Sequence, residues 1–242
     1  MRTLLASEFL KLKHRVDVIV IMLIPFVVLL FTLLSPAYLY QEAINWWSLF
    51  FAPLTAALIG LAVSRTDRKQ TQQNIVIHTR SLKQLWLAKV IVGFALFALT
   101  TAILTVFASV LGRLIGAMPA GSTLSGEILT ALVLFATQAW LIPFSIFLTS
   151  KFPLPVTLFV AFVGIIGAVL VWQSSLWWLW GWAWAVRGII PTSLVLPNGL
   201  LTQAGDAMAN PVFAITAVFL GVIATALITF VSAWRFEKKY TF

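Results

Sequence analysis

Apolar residues run through the chain in six long blocks, at about 18–38, 44–63, 90–111, 128–150, 156–172 and 212–234, with shorter polar segments between them. Each block is close to the twenty or so residues an α-helix needs to cross about 30 Å of hydrocarbon. In lipid the backbone must satisfy its own hydrogen bonds within a segment, so blocks of this kind predict helices. The pattern therefore predicts an all-α polytopic membrane protein with six transmembrane helices, residues 1–242 forming a single transmembrane domain. An even number of spans puts both termini on one side.

The polar intervals carry a second pattern. Within residues 1–17, Leu5, Phe9, Leu12 and Val16 recur at spacings of four, three and four, one stripe of a 3.6-residue helix, with Glu8, Lys11 and Arg15 on another face. This predicts an amphipathic interfacial helix along the inner membrane surface, its basic stems reaching the headgroups. The polar start and the length of the first block predict a retained span rather than a cleaved signal peptide.

Residues 64–89 contain RTDRKQTQQNIVIHTRSLKQLWLAK. They predict a cytoplasmic excursion with a short helix around 67–76. A new helix starts at Ser81, which forms with Gln84 the Ser-x-x-Gln spacing of a capping box. Residues 173–211 are too apolar for a solvated loop, and Pro191 and Pro197 interrupt them too much for a span. They predict one or two re-entrant helices that dip into the outer side of the membrane and return, covered by protein or open to water. Pro25 and Pro53 predict kinks in the first two spans. Small pairs four apart, Ala217 with Gly221, Ala98 with Ala102 and Gly112 with Gly116, permit close helix contact.

Composition sharpens the picture. The chain is 61% hydrophobic and 10% charged, where a soluble domain carries about 25% charged residues. The formal charge of +9 sits in the segments between blocks. It reads as topology and headgroup contact with membrane lipid, not as a nucleic-acid surface. Fourteen of the sixteen Lys and Arg residues fall on the side of the termini and only Arg113 and Arg187 on the other. By the positive-inside rule the N- and C-termini of this multi-pass cell-membrane protein are cytoplasmic.

Candidate chemistry is scarce. There is no cysteine, no G-x-x-x-x-G-K-[ST], no H-E-x-x-H and no G-x-S-x-G, and His14 and His78 lie in polar segments. No apolar block holds an acid, a base or a histidine well inside its limits, which argues against an intramembrane enzyme and against an ion-coupled carrier. The expectation is a chain that is not an enzyme, has no catalytic or metal-binding residues and binds no cofactor itself. Trp177, Trp178, Trp180, Trp182 and Trp184 crowd eight residues of the outer segment. Two readings stay open: an aromatic belt at the interface, or a surface that meets an amphipathic or cationic guest. Arg187 is either a snorkelling anchor or a partner for Asp206 or Glu127.

The amphipathic start, the excursion between spans two and three and the broken segment before span six together resemble the type-2 family of ABC export permeases, across essentially the whole chain. More narrowly, EFLKLKHR and DRKQTQQNIVIHTRSLKQLWLAK are similar to permeases of lantibiotic-immunity ABC transporters in Gram-positive bacteria. The resemblance implies a coupling helix at 67–76 that docks on a separate ABC ATPase, with Asp67, Arg68, Lys69, Gln70, Gln73 and Asn74 at the contact. It implies two ATPase copies that hold ATP and Mg, and a second permease, identical or a sibling. It also implies clearance of a peptide antibiotic from the outer membrane face, with Trp177, Trp178, Trp180, Trp182, Trp184 and Arg187 as its contacts. Two alternatives stay open: a permease of the same architecture exporting a lipid, glycan precursor or hydrophobic drug, and a non-transporting membrane protein that sequesters the antibiotic.

Overall fold

A computed structural model describes residues 2–13, 15–64, 81–203 and 205–240. The expected 67–76 helix and its six contact residues lie outside these. The helices are α1 (Arg2–Leu12), α2 (Val16–Thr32), α3 (Leu39–Trp46), α4 (Ala52–Ser64), α5 (Leu82–Leu114), α6 (Leu124–Gln138), α7 (Leu141–Lys151), α8 (Leu154–Val171), α9 (Gly181–Gly188), α10 (Ile190–Ser193) and α11 (Pro211–Tyr240). Five helical runs are long and apolar enough to cross a membrane, Pro36–Ser64, Leu82–Leu114, Leu124–Lys151, Leu154–Val171 and Pro211–Lys238. A sixth is reached if α1 and α2, whose axes lie 78° apart, count as one bent span. The protein is an all-α polytopic membrane protein.

The helix starts follow from local chemistry. Ser81 is the N-cap of α5, its hydroxyl accepting from the Gln84 N–H at 3.4 Å, so the expected capping residue is in place. Thr123 does the same for α6 from the Gly126 N–H at 3.1 Å. The turn between these helices uses Gly116 and Gly121 at φ of +70° and +80°, a conformation that costs residues with a Cβ.

Proline and hydropathy divide the blocks differently from one another. The block expected at 18–38 ends as a helix at Thr32. Pro36 cannot donate to a continuing helix, and it opens a 3₁₀ turn, Pro36–Tyr38, that belongs to the next run. That run contains a π-helical turn, Trp47–Phe51, immediately before Pro53, whereas α2 remains continuous through Pro25. The block at 128–150 is two helices, α6 and α7. Pro143 lacks an N–H, and its ring crowds the carbonyl four residues back, at Ala139, where the break falls. The two irregularities meet: the Gln138 side-chain N–H donates to the Ser48 carbonyl of the π turn at 2.5 Å. A backbone group loosened by one break is thus satisfied from the other.

The core lies where α4, α5, α6 and α7 pack, with Trp47, Ile59, Phe97, Leu104, Ile142 and Ile146 fully buried. The backbones of α4 and α7 come close at Gly60, where a Cβ would lie 2.6 Å from the Ser145 carbonyl carbon. The helix α11 is peripheral and keeps most of its apolar surface outside the bundle. Its small pair does make a contact: a Cβ at Gly221 would lie 2.5 Å from the Ala136 carbonyl oxygen, and Ala217 is buried against Gly188. Ala98 and Ala102 instead line an open groove.

Candidate functional sites at the two ends of the bundle

Lys89 and Arg113 are twenty-four residues apart on α5, about 36 Å at 1.5 Å per residue, and each anchors a polar cluster. At the Lys89 end, Lys89 Nζ donates to Glu8 at 2.9 Å and to the Val63 carbonyl at 3.4 Å, with both charged residues buried. Lys11 also pairs with Glu8. Arg15 pairs with Asp17 and donates to the Ala62 carbonyl at 3.1 Å. Ala62 and Val63 are in the last turn of α4, whose carbonyls have no partner within the helix and carry the negative end of its dipole. Two cations satisfying those carbonyls tie α1, α4 and α5 together at one point.

This arrangement revises the expected face of α1. The stripe Leu5, Phe9, Leu12 and Val16 does not pack as a unit, because Phe9 is exposed and Val16 already belongs to α2. The inward face is Leu5, Glu8 and Leu12. Glu8 turns in because Lys89 offers a buried counter-charge, a partner on another helix that the α1 sequence by itself does not show. The hint available in sequence is Lys89, which abuts the 90–111 block.

At the opposite end, the chain after α8 doubles back beside it. A Cβ at Gly167 would lie 2.3 Å from the Trp180 ring, and one at Gly164 would lie 2.2 Å from the Trp182 ring. The two indoles thus fill slots that exist only because α8 carries glycine there. Trp180 Nε1 donates to the Gly164 carbonyl at 2.8 Å. Trp182 meets Trp140 edge to face at 4.9 Å, at the break between α6 and α7. The chain then climbs through α9, with Gly188 against Ala217 and Thr137, to α10, whose Thr192 carbonyl approaches Gly126.

Of the expected contact residues, Trp177 is buried beside Phe213 of α11 with ring centres 6.0 Å apart, while Trp180 and Trp182 are half-buried. Trp184 is half-buried too, and its Nε1 donates to the Trp178 carbonyl at 2.7 Å. Trp178 is the exposed one of the five. Arg187 is buried, its guanidinium 4.2 Å from the Phe213 ring centre and donating to the Trp172 carbonyl at 3.2 Å. Sequence reading missed Trp140, Gly164 and Gly167 as parts of this cluster. The available signal was a pair of glycines three apart in an otherwise bulky block.

Glu127 has a different partner from the one considered for it: Arg113 Nη2 donates to Glu127 Oε1 at 2.5 Å. Asp206 caps the 3₁₀ turn Ala207–Ala209 by accepting from the Met208 N–H at 2.8 Å. Among the described residues no group of three or more His, Asp or Glu is placed to hold a metal ion.

Long apolar helices with charge confined to their ends define a polytopic membrane-embedded subunit. Residues 4–167, about two thirds of the chain, match the family model described as ABC-2 family transporter protein, and the chain belongs to that family, as a membrane permease subunit of the ABC type. No curated protein and no solved structure matches the chain.

Proposed function

We propose that the chain is the permease subunit of an ABC exporter that removes a lantibiotic or similar peptide antibiotic from the membrane and so confers immunity. A separate ATPase, in two copies, drives it, beside a second permease that is identical or a sibling. In this reading the Lys89 end is cytoplasmic, as are both termini, because the basic residues concentrate there. Residues 67–76 are the coupling helix, α1 lies at the inner interface, and the segment from Trp177 to Ser193 is re-entrant from outside.

The observation that carries the proposal is the tie of Glu8 and Lys89 to the Val63 carbonyl, with Arg15 on the carbonyl of Ala62. It joins the two helices that flank the coupling segment, so a push delivered there reaches both as one body. Ridged, closely packed helices such as α4 and α7 pass such a displacement on as rigid elements. The energy source has to be external, because the chain has no phosphate-binding motif. Asp67, Arg68, Lys69, Gln70, Gln73 and Asn74 then meet the ATPase, and Trp178, the exposed indole, is the first of the tryptophans to meet cargo.

The test is protection of sensitive Gram-positive cells. Cells expressing the chain with its ATPase and second permease should survive raised doses of one lantibiotic. Protection should vanish when the ATPase is made catalytically inactive, and when Asp67, Arg68 and Lys69 are all changed to alanine in a chain that still reaches the membrane. Protection that persists with the inactive ATPase would replace export by sequestration. ATPase stimulation by a lipid, glycan precursor or drug, and by no peptide, would replace the cargo.

A further inference from the structure

The face of α5 carries Thr101, Thr105, Ser109 and Arg113 at four-residue intervals, one line running about 18 Å along the helix. This line forms part of a groove of about 430 Å³ between α5 and α6, within the range of small-molecule sites. Its other walls are apolar, including Ala98, Val106, Ile128 and Phe135. Val106, Val110, Ile128 and Leu132 along it are exposed, so it opens sideways to whatever surrounds the bundle.

Two buried oxygens on residues of this groove lack a hydrogen-bond partner among the described residues, Thr101 Oγ1 and Glu127 Oε2. Thr105 already donates to the Thr101 carbonyl at 3.0 Å. Glu127 gives only its Oε1 to Arg113, and a buried carboxylate oxygen without a donor is costly. The last torsion of a glutamate is soft, so the carboxylate can adjust to share itself between Arg113 and a donor that enters the groove. Arg113 is only half-covered, with its side chain 45% exposed. The groove therefore ends in a cation and an anion side by side, above an apolar trench.

We propose that this groove binds a zwitterionic aminophospholipid. Its acyl chain lies along the trench, its phosphate meets Arg113 and its primary ammonium donates to Glu127. The paired charges select against a headgroup of net charge. The need for an N–H donor at Glu127 selects against a quaternary amine of the same charge and shape.

Native mass spectrometry of the full-length chain in detergent, with phosphatidylethanolamine, its mono- and dimethylated forms, phosphatidylcholine and phosphatidylglycerol added in turn, tests this without any variant. Retention should hold while the amine keeps an N–H and fall about tenfold between the dimethylated form and phosphatidylcholine, the scale of one charge-assisted hydrogen bond. Glu127→Gln should abolish that fall and raise phosphatidylglycerol, because Arg113 is then unbalanced. Ala102→Trp, which fills the trench, should lower all five. Equal retention of the methylated series by the unaltered protein overturns the proposal. So does a series unchanged by Glu127→Gln, or a groove occupied by a second copy of the chain that releases no lipid on dissociation.

Discussion

Replacing Lys89 with methionine removes one partner of a buried ion pair and leaves the other in place. Glu8 and Lys89 are 2% and 3% exposed, so Glu8 cannot recover its hydration without moving α1 away from α5. Breaking a buried pair from one side costs about 3–5 kcal/mol. Lys11 also holds Glu8, which puts Lys89→Met near the lower end, about 3 kcal/mol. For a chain of this size that is a fall in Tm of roughly 6–12 °C. Adding Glu8→Leu removes the stranded charge, and apolar side chains of similar volume replace a buried pair at little cost. The double variant should then lie within about 1 kcal/mol of the unaltered protein. Thermal unfolding of the purified chain in one detergent, followed by tryptophan fluorescence and by size-exclusion recovery, measures all four corners of the cycle. A Lys89→Met Tm within about 2 °C of the original would refute the reasoning. So would a double variant as unstable as the sum of the singles.

Three further outcomes follow from close contacts. Gly164→Ala should unseat Trp182, costing about 1–3 kcal/mol by overpacking, and should alter the near-ultraviolet circular dichroism of the tryptophans while leaving helix content unchanged. Gly60→Ala should destabilise more than Gly116→Ala in the same thermal assay. The first drives a Cβ to 2.6 Å from the backbone of Ser145, whereas the second has open space and meets only the strain of its positive φ. Gln138→Leu should cost about 1–3 kcal/mol by leaving the Ser48 carbonyl without its donor, with hydrogen exchange of the amides in Trp47–Phe51 rising before global unfolding.

The existence of the long helices was legible because burial in lipid demands apolar length, and length is a property of a stretch read by itself. Their interruptions were legible only in part. Pro36 and Pro53 mark the breaks near them, but Pro143 sits in a block whose hydropathy is unbroken, and Pro25 sits in a helix that does not break. The π turn adds a residue to one helical turn. It shifts the buried face of α3 relative to that of α4, so a single 3.6-residue period cannot be traced through the run. The tryptophan cluster was visible as composition. Its orientation was not, because which indoles turn inward is decided by two glycines on α8 and by Trp140 on another helix. The same holds for Glu8, whose burial is set by a lysine 81 positions away.

The slots for Trp180 and Trp182 also bear on the order in which the molecule is assembled. Each long helix carries enough apolar length to enter a membrane by itself and to find its neighbours afterwards. The segment around α9 lacks that independence. Its indoles need Gly164 and Gly167 of α8, Gly188 needs the space beside Thr137 of α6, and Arg187 stacks on Phe213 of α11. The last of these residues is synthesised after the segment itself. The tryptophan segment therefore emerges before its seat is complete, and its last contacts form only once α11 has joined the bundle.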